Sequence, residues 1–201
     1  MTSLKEIFQD YQPQALHPTT EYAVFLPLLW IDQKWHLLYE VRSDWISQPG
    51  EVSFPGGKIE AGESPAQAAL RETVEELRLN EEVLELWGEL DYWEFEGRKI
   101  HAFVGELKLH QLKDLHPNQE VKRIFSVSLS DLIQHPPVYY ELRFFVDQQS
   151  AFPFERIRGG EKYPFRLQSR QIPFYEDLAE PIWGLTAQFT ERLVQLINEK
   201  N

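Results

Sequence analysis

Residues 54–79 read FPGGKIEAGESPAQAALRETVEELRL, and the rest of the chain is organised around them. A Gly-Gly turn and a short acidic loop lead into a helix. Ser64 is a good N-cap, and Gln67 three residues later completes a capping box in which each side chain satisfies a backbone donor of the first turn. Pro65 falls at the first helical position, where its missing N–H costs nothing. Ala66, Ala68, Ala69, Leu70 and Leu77 are good helix formers, and Ala69, Leu70, Thr73, Val74 and Leu77 can turn one face inward. The opposite, exposed face then carries Arg71, Glu72, Glu75 and Glu76.

Three- and four-residue steps from Glu72 to Glu75 and Glu76 place all three carboxylates on neighbouring turns of one surface. Like charges that close repel, and Arg71, four residues before Glu75, neutralises only part of the cost. Oxygen donors at helical spacing suit a hard divalent cation such as Mg2+, which keeps positions open for water and substrate phosphates. A solvated acidic face is the alternative; the preceding Gly-rich loop favours the cation.

Gly57, Glu63, Arg71, Glu72, Glu75, Glu76 and Leu79 also fall on the fixed positions of the pattern G-x5-E-x7-R-E-U-x-E-E-x-G-U, where U is apolar. The stretch therefore resembles the box of the Nudix hydrolases. Two positions depart. Thr73 stands where an apolar residue is usual, at a site expected to be half-buried, and Arg78 stands where a glycine would end the helix. The helix is accordingly expected to end differently, with Asn80 taking the left-handed position. The resemblance implies an α/β (α+β) fold, a Nudix-type α/β/α sandwich with a mixed central sheet. It also implies hydrolysis of a diphosphate linked to a nucleoside. Glu72, Glu75 and Glu76, with the Gly57 carbonyl, would hold Mg2+ or Mn2+, and Arg71 with Glu63 would clamp the acids in place.

A second resemblance lies upstream. LLYEVRSDWISQPGEVSFPGG is similar to the extension that precedes the box in the coenzyme A pyrophosphatase branch, with Leu37, Leu38, Arg42, Ser43, Gly50, Val52, Phe54, Pro55, Gly56 and Gly57 matching. Arg42, Gly56 and Gly57 are the implied substrate contacts. The spacer is about a residue shorter than in that branch, and its second arginine is absent, Ser47 being the nearest position. Arg42 is then the remaining cation able to grip a phosphate bidentately; an ordinary surface arginine at a strand end is the alternative. In residues 116–133, HPNQEVKRIFSVSLSDLI, Glu120 aligns with the extra carboxylate that completes the metal site or acts on water in this family; a solvent-exposed loop glutamate is the alternative. IWGLTA at 182–187 resembles the C-terminal signature of the same branch and opens the last helix, which packs through Ile182, Leu185, Phe189, Leu193 and Leu196. Trp183 either lines a pocket or, as is more usual for a tryptophan, packs in the core.

Composition sets outer limits. The 201 residues, 42% hydrophobic and 13% aromatic, suffice for a core, and one domain over 1–201 is expected, with an N-terminal extension (1–20) and a C-terminal helix (183–199). With no cysteine, there is no disulfide, thiolate ligand or Cys nucleophile. A formal charge of -12 argues against general nucleic-acid binding. No signal peptide or membrane span is read, so the expected location is cytoplasmic. The expected partner is a small nucleotide-containing substrate; the oligomeric state stays open, a homodimer being one option.

Elsewhere, residues 4–11 read as a short helix whose role is packing. Strands are expected over 22–31 and 35–41 around the turn Asp32-Gln33-Lys34, over 83–95 and 99–109 around Glu96-Gly97, and over 138–146. His101 is taken as structural, and His110 and His116 carry no role. Arg156, Arg158, Lys162, Arg166 and Arg170 surround a Gly159-Gly160 turn; they are either a phosphate pocket or a solvated hairpin. Three functions compete: a pyrophosphatase for coenzyme A or its derivatives, a Nudix enzyme for another nucleoside diphosphate derivative such as NADH or ADP-ribose, and a non-catalytic ligand-sensing Nudix module.

Overall fold

Tight turns with left-handed backbone set the strand pairing. The computed structural model describes residues 4–9, 11–12, 16–109, 111–166 and 169–200; Pro13 and His110 lie outside them. After α1 (Leu4–Gln9), β1 (Thr20–Ile31) turns at Asp32 (φ 49°) and Gln33 (φ 62°) into β2 (Lys34–Arg42). Positive φ at both turn residues matches the right-handed twist of the strands they join. The short strands β3 (Val52–Ser53) and β4 (Gly56–Lys58) lead to α2 (Pro65–Leu77). A second hairpin, β5 (Leu84–Phe95) and β6 (Arg98–Leu107), turns at Glu96 (φ 47°) and Gly97 (φ 74°). Then come β7 (Val121–Ser128), α3 (Leu129–Gln134), β8 (Val138–Arg143), β9 (Ser169–Tyr175), β10 (Ile182–Trp183) and α4 (Gly184–Lys200).

The central sheet runs β3-β2-β1-β6-β5, with β4 also pairing β1 and β7 also pairing β2. Only β1 and β6 are parallel, so the sheet is mixed, as expected. β8, β9 and β10 form a separate antiparallel sheet. One face of the central sheet buries Ala23, Phe25 and Phe103 against Ala68 and Ala69 of α2. The other buries Leu26, Leu28, Leu37, Tyr39 and Val41 against Leu132 of α3 and Ala187, Phe189, Leu193 and Val194 of α4. Two helical layers thus enclose one sheet. Tyr39 ties the sheet to α4: its ring stacks between Phe54 and Phe125, and its hydroxyl meets Thr190 Oγ1 at 3.0 Å.

Several expectations are corrected. None of the residues of α1 is buried, so it is not a packing helix. The strand expected over 138–146 ends at Arg143. Thr73 is fully buried rather than half-buried, and its hydroxyl donates to the Ala69 carbonyl at 2.7 Å, which satisfies it inside the apolar layer. Asn80 does not end α2. Arg78 itself takes the left-handed conformation (φ 52°, ψ 52°), and the Leu79 N–H closes back on the Val74 carbonyl at 3.1 Å. Asn80 instead caps the following 3-10 turn, its Oδ1 accepting from the Glu82 N–H.

An arginine held in that conformation carries a steric cost that glycine lacks. Arg78→Gly is therefore expected to stabilise the protein by about 1 kcal/mol, read as a raised midpoint in thermal unfolding. An unchanged or lowered midpoint would show that the cost is met elsewhere.

Candidate active site

The capping box reads as expected: Ser64 Oγ accepts from the Gln67 N–H at 3.3 Å, and Gln67 Oε1 accepts from the Ser64 N–H at 2.9 Å. Its α2 is anchored on β4, which carries the Gly-Gly turn. The Gly56 N–H donates to Glu76 Oε2 at 2.8 Å. A Cβ on Gly56 would lie 2.3 Å from the Ala23 carbonyl oxygen, so β4 can sit this close to β1 only without a side chain there. A Cβ on Gly57 would lie 2.3 Å from both Cδ and Oε1 of Glu72; the absent side chain is the space that carboxylate occupies.

The helix does not present its acids equally. Glu75 is exposed, Glu72 half-buried, and Glu76, expected on the exposed face, is buried. Arg71 gathers the half-buried end. Its Nε and Nη2 bond Glu63 at 2.8 and 3.2 Å, its Nη1 bonds Glu72 Oε1 at 2.9 Å and approaches Glu75 at 3.5 Å, and Nη2 also reaches the Lys58 carbonyl. Glu63 is steadied further by the Glu60 N–H, and the Arg71 bond holds its carboxyl below the usual range.

Chain-distant segments complete the cluster. Asn118 donates its N–H to the Glu76 carbonyl at 2.7 Å, capping an otherwise orphaned acceptor at the end of α2. The Ser43 N–H donates to the Glu120 carbonyl at 2.8 Å. These bonds bring Glu120 close enough that its charge helps raise the carboxyl pKa values of Glu40, Glu72 and Glu76.

Glu40 carries no role in the sequence reading. It lies on β2, 1% exposed, with Oε1 accepting from Ser53 Oγ at 3.0 Å. Its signal was a lone charge in the otherwise apolar run LLYEV at 37–41. Burial, foremost, pushes the Glu40 and Glu76 carboxyls well above the ordinary range, and their mutual repulsion adds to the shift of Glu76. Glu72 is raised by burial too, against the pull of Arg71.

Glu40 Oε2 is buried without a hydrogen-bond partner among the described residues. A buried carboxylate oxygen left orphaned among three more carboxylates fits a hard divalent cation better than a closed structural network. Among the described residues no three acidic or imidazole side chains already stand in a ligand arrangement. Glu72 gives Oε1 to Arg71 and Glu76 gives Oε2 to Gly56, so these bonds orient the two carboxylates while each has a second oxygen to offer a cation.

Arg42, at the end of β2, donates through Nε to the Ser47 carbonyl at 2.8 Å, and its charge opposes the rise at Glu40. The loop 43–51 thus folds back onto the arginine through the Ser47 backbone. Trp183 is not in the core. It is 40% exposed, stacked on Phe174 at 5.4 Å, and its Nε1 donates to Glu51 Oε2 at 2.7 Å. Thr186 Oγ1 donates to the Val52 carbonyl at 2.9 Å. His101 is buried between Glu89 (2.6 Å) and Glu21 (3.3 Å), on the sheet rather than at the carboxylate cluster. Of the basic residues after β8, Arg170 lies over the Phe95 ring at 3.9 Å and Arg156 pairs with Glu155.

The NUDIX domain family matches residues 22–148, spanning β1, the α2 helix and the Glu120 loop. The chain belongs to the Nudix family. It is 27% identical over 183 residues to Nudix hydrolase 3 of Caenorhabditis elegans, covering 88% of this chain and 72% of that one. It is 32% identical over 180 residues to the mitochondrial coenzyme A diphosphatase of Mus musculus, covering 87% and 77%. A MutT/nudix family protein from Enterococcus faecalis superposes with a TM-score of 0.52 at 13% identity, over 98% of this chain and 70% of that chain, a likeness of fold. The protein is a Nudix hydrolase, and Nudix hydrolases generally use divalent metals. No helix among the described residues is long and apolar enough to cross a membrane.

Proposed function

We propose that this protein is a divalent-metal-dependent pyrophosphatase for coenzyme A or its derivatives, releasing phosphopantetheine, or its acyl form, and adenosine 3',5'-bisphosphate, through a single domain spanning the chain. The observation that carries the reading is the junction of the two segments resembling the coenzyme A branch. Trp183 and Thr186 of IWGLTA bond Glu51 and Val52 of the upstream extension, while Arg42 of that extension stands beside Glu40 at the acidic cluster. A substrate with phosphates at the acids would have a half-exposed aromatic wall to one side. The relative named a coenzyme A diphosphatase supports the same choice. The shortened spacer without a second arginine favours a second reading, another nucleoside diphosphate derivative such as NADH or ADP-ribose. The Arg78 departure, which would favour a sensing module, loses its weight because Arg78 itself closes the helix.

In this reading Glu72, Glu75 and Glu76, with the Gly57 carbonyl, hold Mg2+ or Mn2+, and Glu40 and Glu120 complete the acidic surround. Bound there, such a cation would neutralise phosphate charge and make a coordinated water more acidic. Arg71 and Glu63 keep Glu72 in place. Arg42 orients a phosphate, Gly56 and Gly57 meet the substrate through backbone atoms, and Glu120 or a box glutamate takes the proton of the attacking water. Incubation with coenzyme A, NADH, ADP-ribose and dinucleoside polyphosphates, with Mg2+ and with Mn2+, tests it by product analysis. Preferred cleavage of coenzyme A to the two products above is expected; preference for another substrate would transfer the assignment to the second reading.

The carboxyl shifts also predict how stability varies with pH. Glu40, Glu72 and Glu76 have folded pKa values above the unfolded value of about 4.5, so the folded state binds more protons. Metal-free protein should therefore lose stability as pH rises from about 4.5 through neutrality. The opposite shifts at Glu63, Glu85 and Glu180 come from ion pairs with Arg71, Lys108 and Arg123 and act against this trend; the pair of Glu85 is exposed and screened by water, while those of Glu63 and Glu180 are partly buried. Saturating Mn2+ should raise the melting temperature at pH 8 far more than at pH 5. A metal-free melting temperature that climbs between these two pH values would contradict the burial argument.

A further inference from the structure

β8 is the outer strand of the β8-β9-β10 sheet, and among the described residues no strand pairs with its free edge. It is unusually apolar for such a place. Val138, Tyr139, Tyr140 and Leu142, and then Phe144, Phe145 and Val146, are 39 to 76% exposed. A long, exposed, apolar strand edge is a template for another strand, and proteins normally blunt it.

The run VYYELRFFV at 138–146 identifies the partner. Read outward from Leu142, its two halves are chemically matched: Glu141 with Arg143, Tyr140 with Phe144, Tyr139 with Phe145, and Val138 with Val146. Two identical antiparallel strands related by a two-fold axis normal to the sheet must place opposed residues on the same face. One residue then faces its own copy. Centring on Glu141 or Arg143 would set like charges face to face, which is destabilising. Centring on Leu142 sets each Glu141 against the other copy's Arg143.

Glu141 and Arg143 already pair within the strand, Arg143 Nη2 to Glu141 Oε2 at 2.6 Å. In the two-fold arrangement the four charges alternate in sign around a closed ring. On the opposite face Val138, Tyr140, Leu142, Phe144 and Val146 of both copies align as one apolar stripe. Tyr140 is already braced there, edge-on to Phe174 at 5.6 Å and hydrogen-bonded through its hydroxyl to Glu176. Tyr139, on the charged face, is fixed by its hydroxyl bond to Glu191 of α4. The strand edge is therefore held ready by its own sheet and by α4.

We propose that two copies of this chain associate through β8, in antiparallel register centred on Leu142, joining their three-stranded sheets into one of six strands. The pairing extends the strand through residues 144–146.

Sedimentation equilibrium of the full chain tests it. Wild type is expected to be a dimer at micromolar concentration, and Leu142→Lys, which opposes two ammonium groups at the axis, a monomer. Glu141→Arg and Arg143→Glu should each raise the dimer dissociation constant about tenfold or more, because each creates two like-charge pairs. Combining both substitutions restores alternation and should restore the dimer. Circular dichroism and pyrophosphatase activity check that each variant is folded. A monomeric wild type, a dimer indifferent to Leu142→Lys, or a double reversal no better than the single ones would overturn the proposal.

Discussion

Glu76→Gln is expected to lower kcat by more than about a hundredfold while the fold stays intact. Residues that merely orient a metal ligand cost 10- to 100-fold in affinity or activity, and Glu76 is placed here as a ligand itself. The amide keeps a carbonyl oxygen for the Gly56 N–H, so the bond that holds α2 to β4 survives. It also removes a buried ionisable group whose charged form both burial and Glu40 oppose. Melting at pH 8 without metal should thus be unchanged or raised, the usual relation at a site whose function keeps like charges together. Steady-state kinetics with Mg2+ and thermal unfolding settle both parts. Near wild-type turnover would remove Glu76 from the machinery, and a joint fall in activity and melting temperature would make its role structural.

Gly57→Ala is expected to reduce kcat about a hundredfold with little loss of stability. The new methyl would lie 2.3 Å from Cδ and Oε1 of Glu72 and 2.7 Å from its Oε2, all atoms at the end of one flexible side chain. The carboxylate must swing away, and it leaves the Arg71 Nη1 that holds it at 2.9 Å. A displacement of about 1 Å in a catalytic group is enough for this loss. Gly56→Ala is the control. Its methyl would meet backbone, the Ala23 oxygen at 2.3 Å and the Val24 Cα at 2.6 Å, so the sheet itself must move. That variant should unfold several degrees lower, roughly 3 kcal/mol less stable. Comparable melting losses in the two variants would mean that Glu72 cannot move aside.

Much of this arrangement was legible before any coordinates, wherever the interaction is local. Ser64 and Gln67 cap α2 because they are three residues apart on one turn, and Asp32-Gln33 and Glu96-Gly97 close hairpins because the turn chemistry lies in the turn. The spacing of Glu72, Glu75 and Glu76 likewise needs only the helical repeat. A residue's state is not local where it depends on what is packed against it. Glu76 looked as exposed as Glu75 and is buried, Trp183 looked like core and is half-exposed, and α1 looked like a packing helix and buries nothing. Arg78 took the left-handed position that its residue type disfavours, because the exit of α2 is pulled closed by the Leu79 bond.

From sequence alone came the helix, its cap, the spacing of its acids and the Nudix resemblance, since each rests on residues within a few turns of one another. Tertiary structure alone decided that Glu40, from a strand, joins those acids, which of the two alternatives left for Glu120 puts its charge beside them, and that Glu76 is the box glutamate removed from water. Burial and repulsion between charges act through space, and chain-distant segments have no mutual distance until the sheet brings them together.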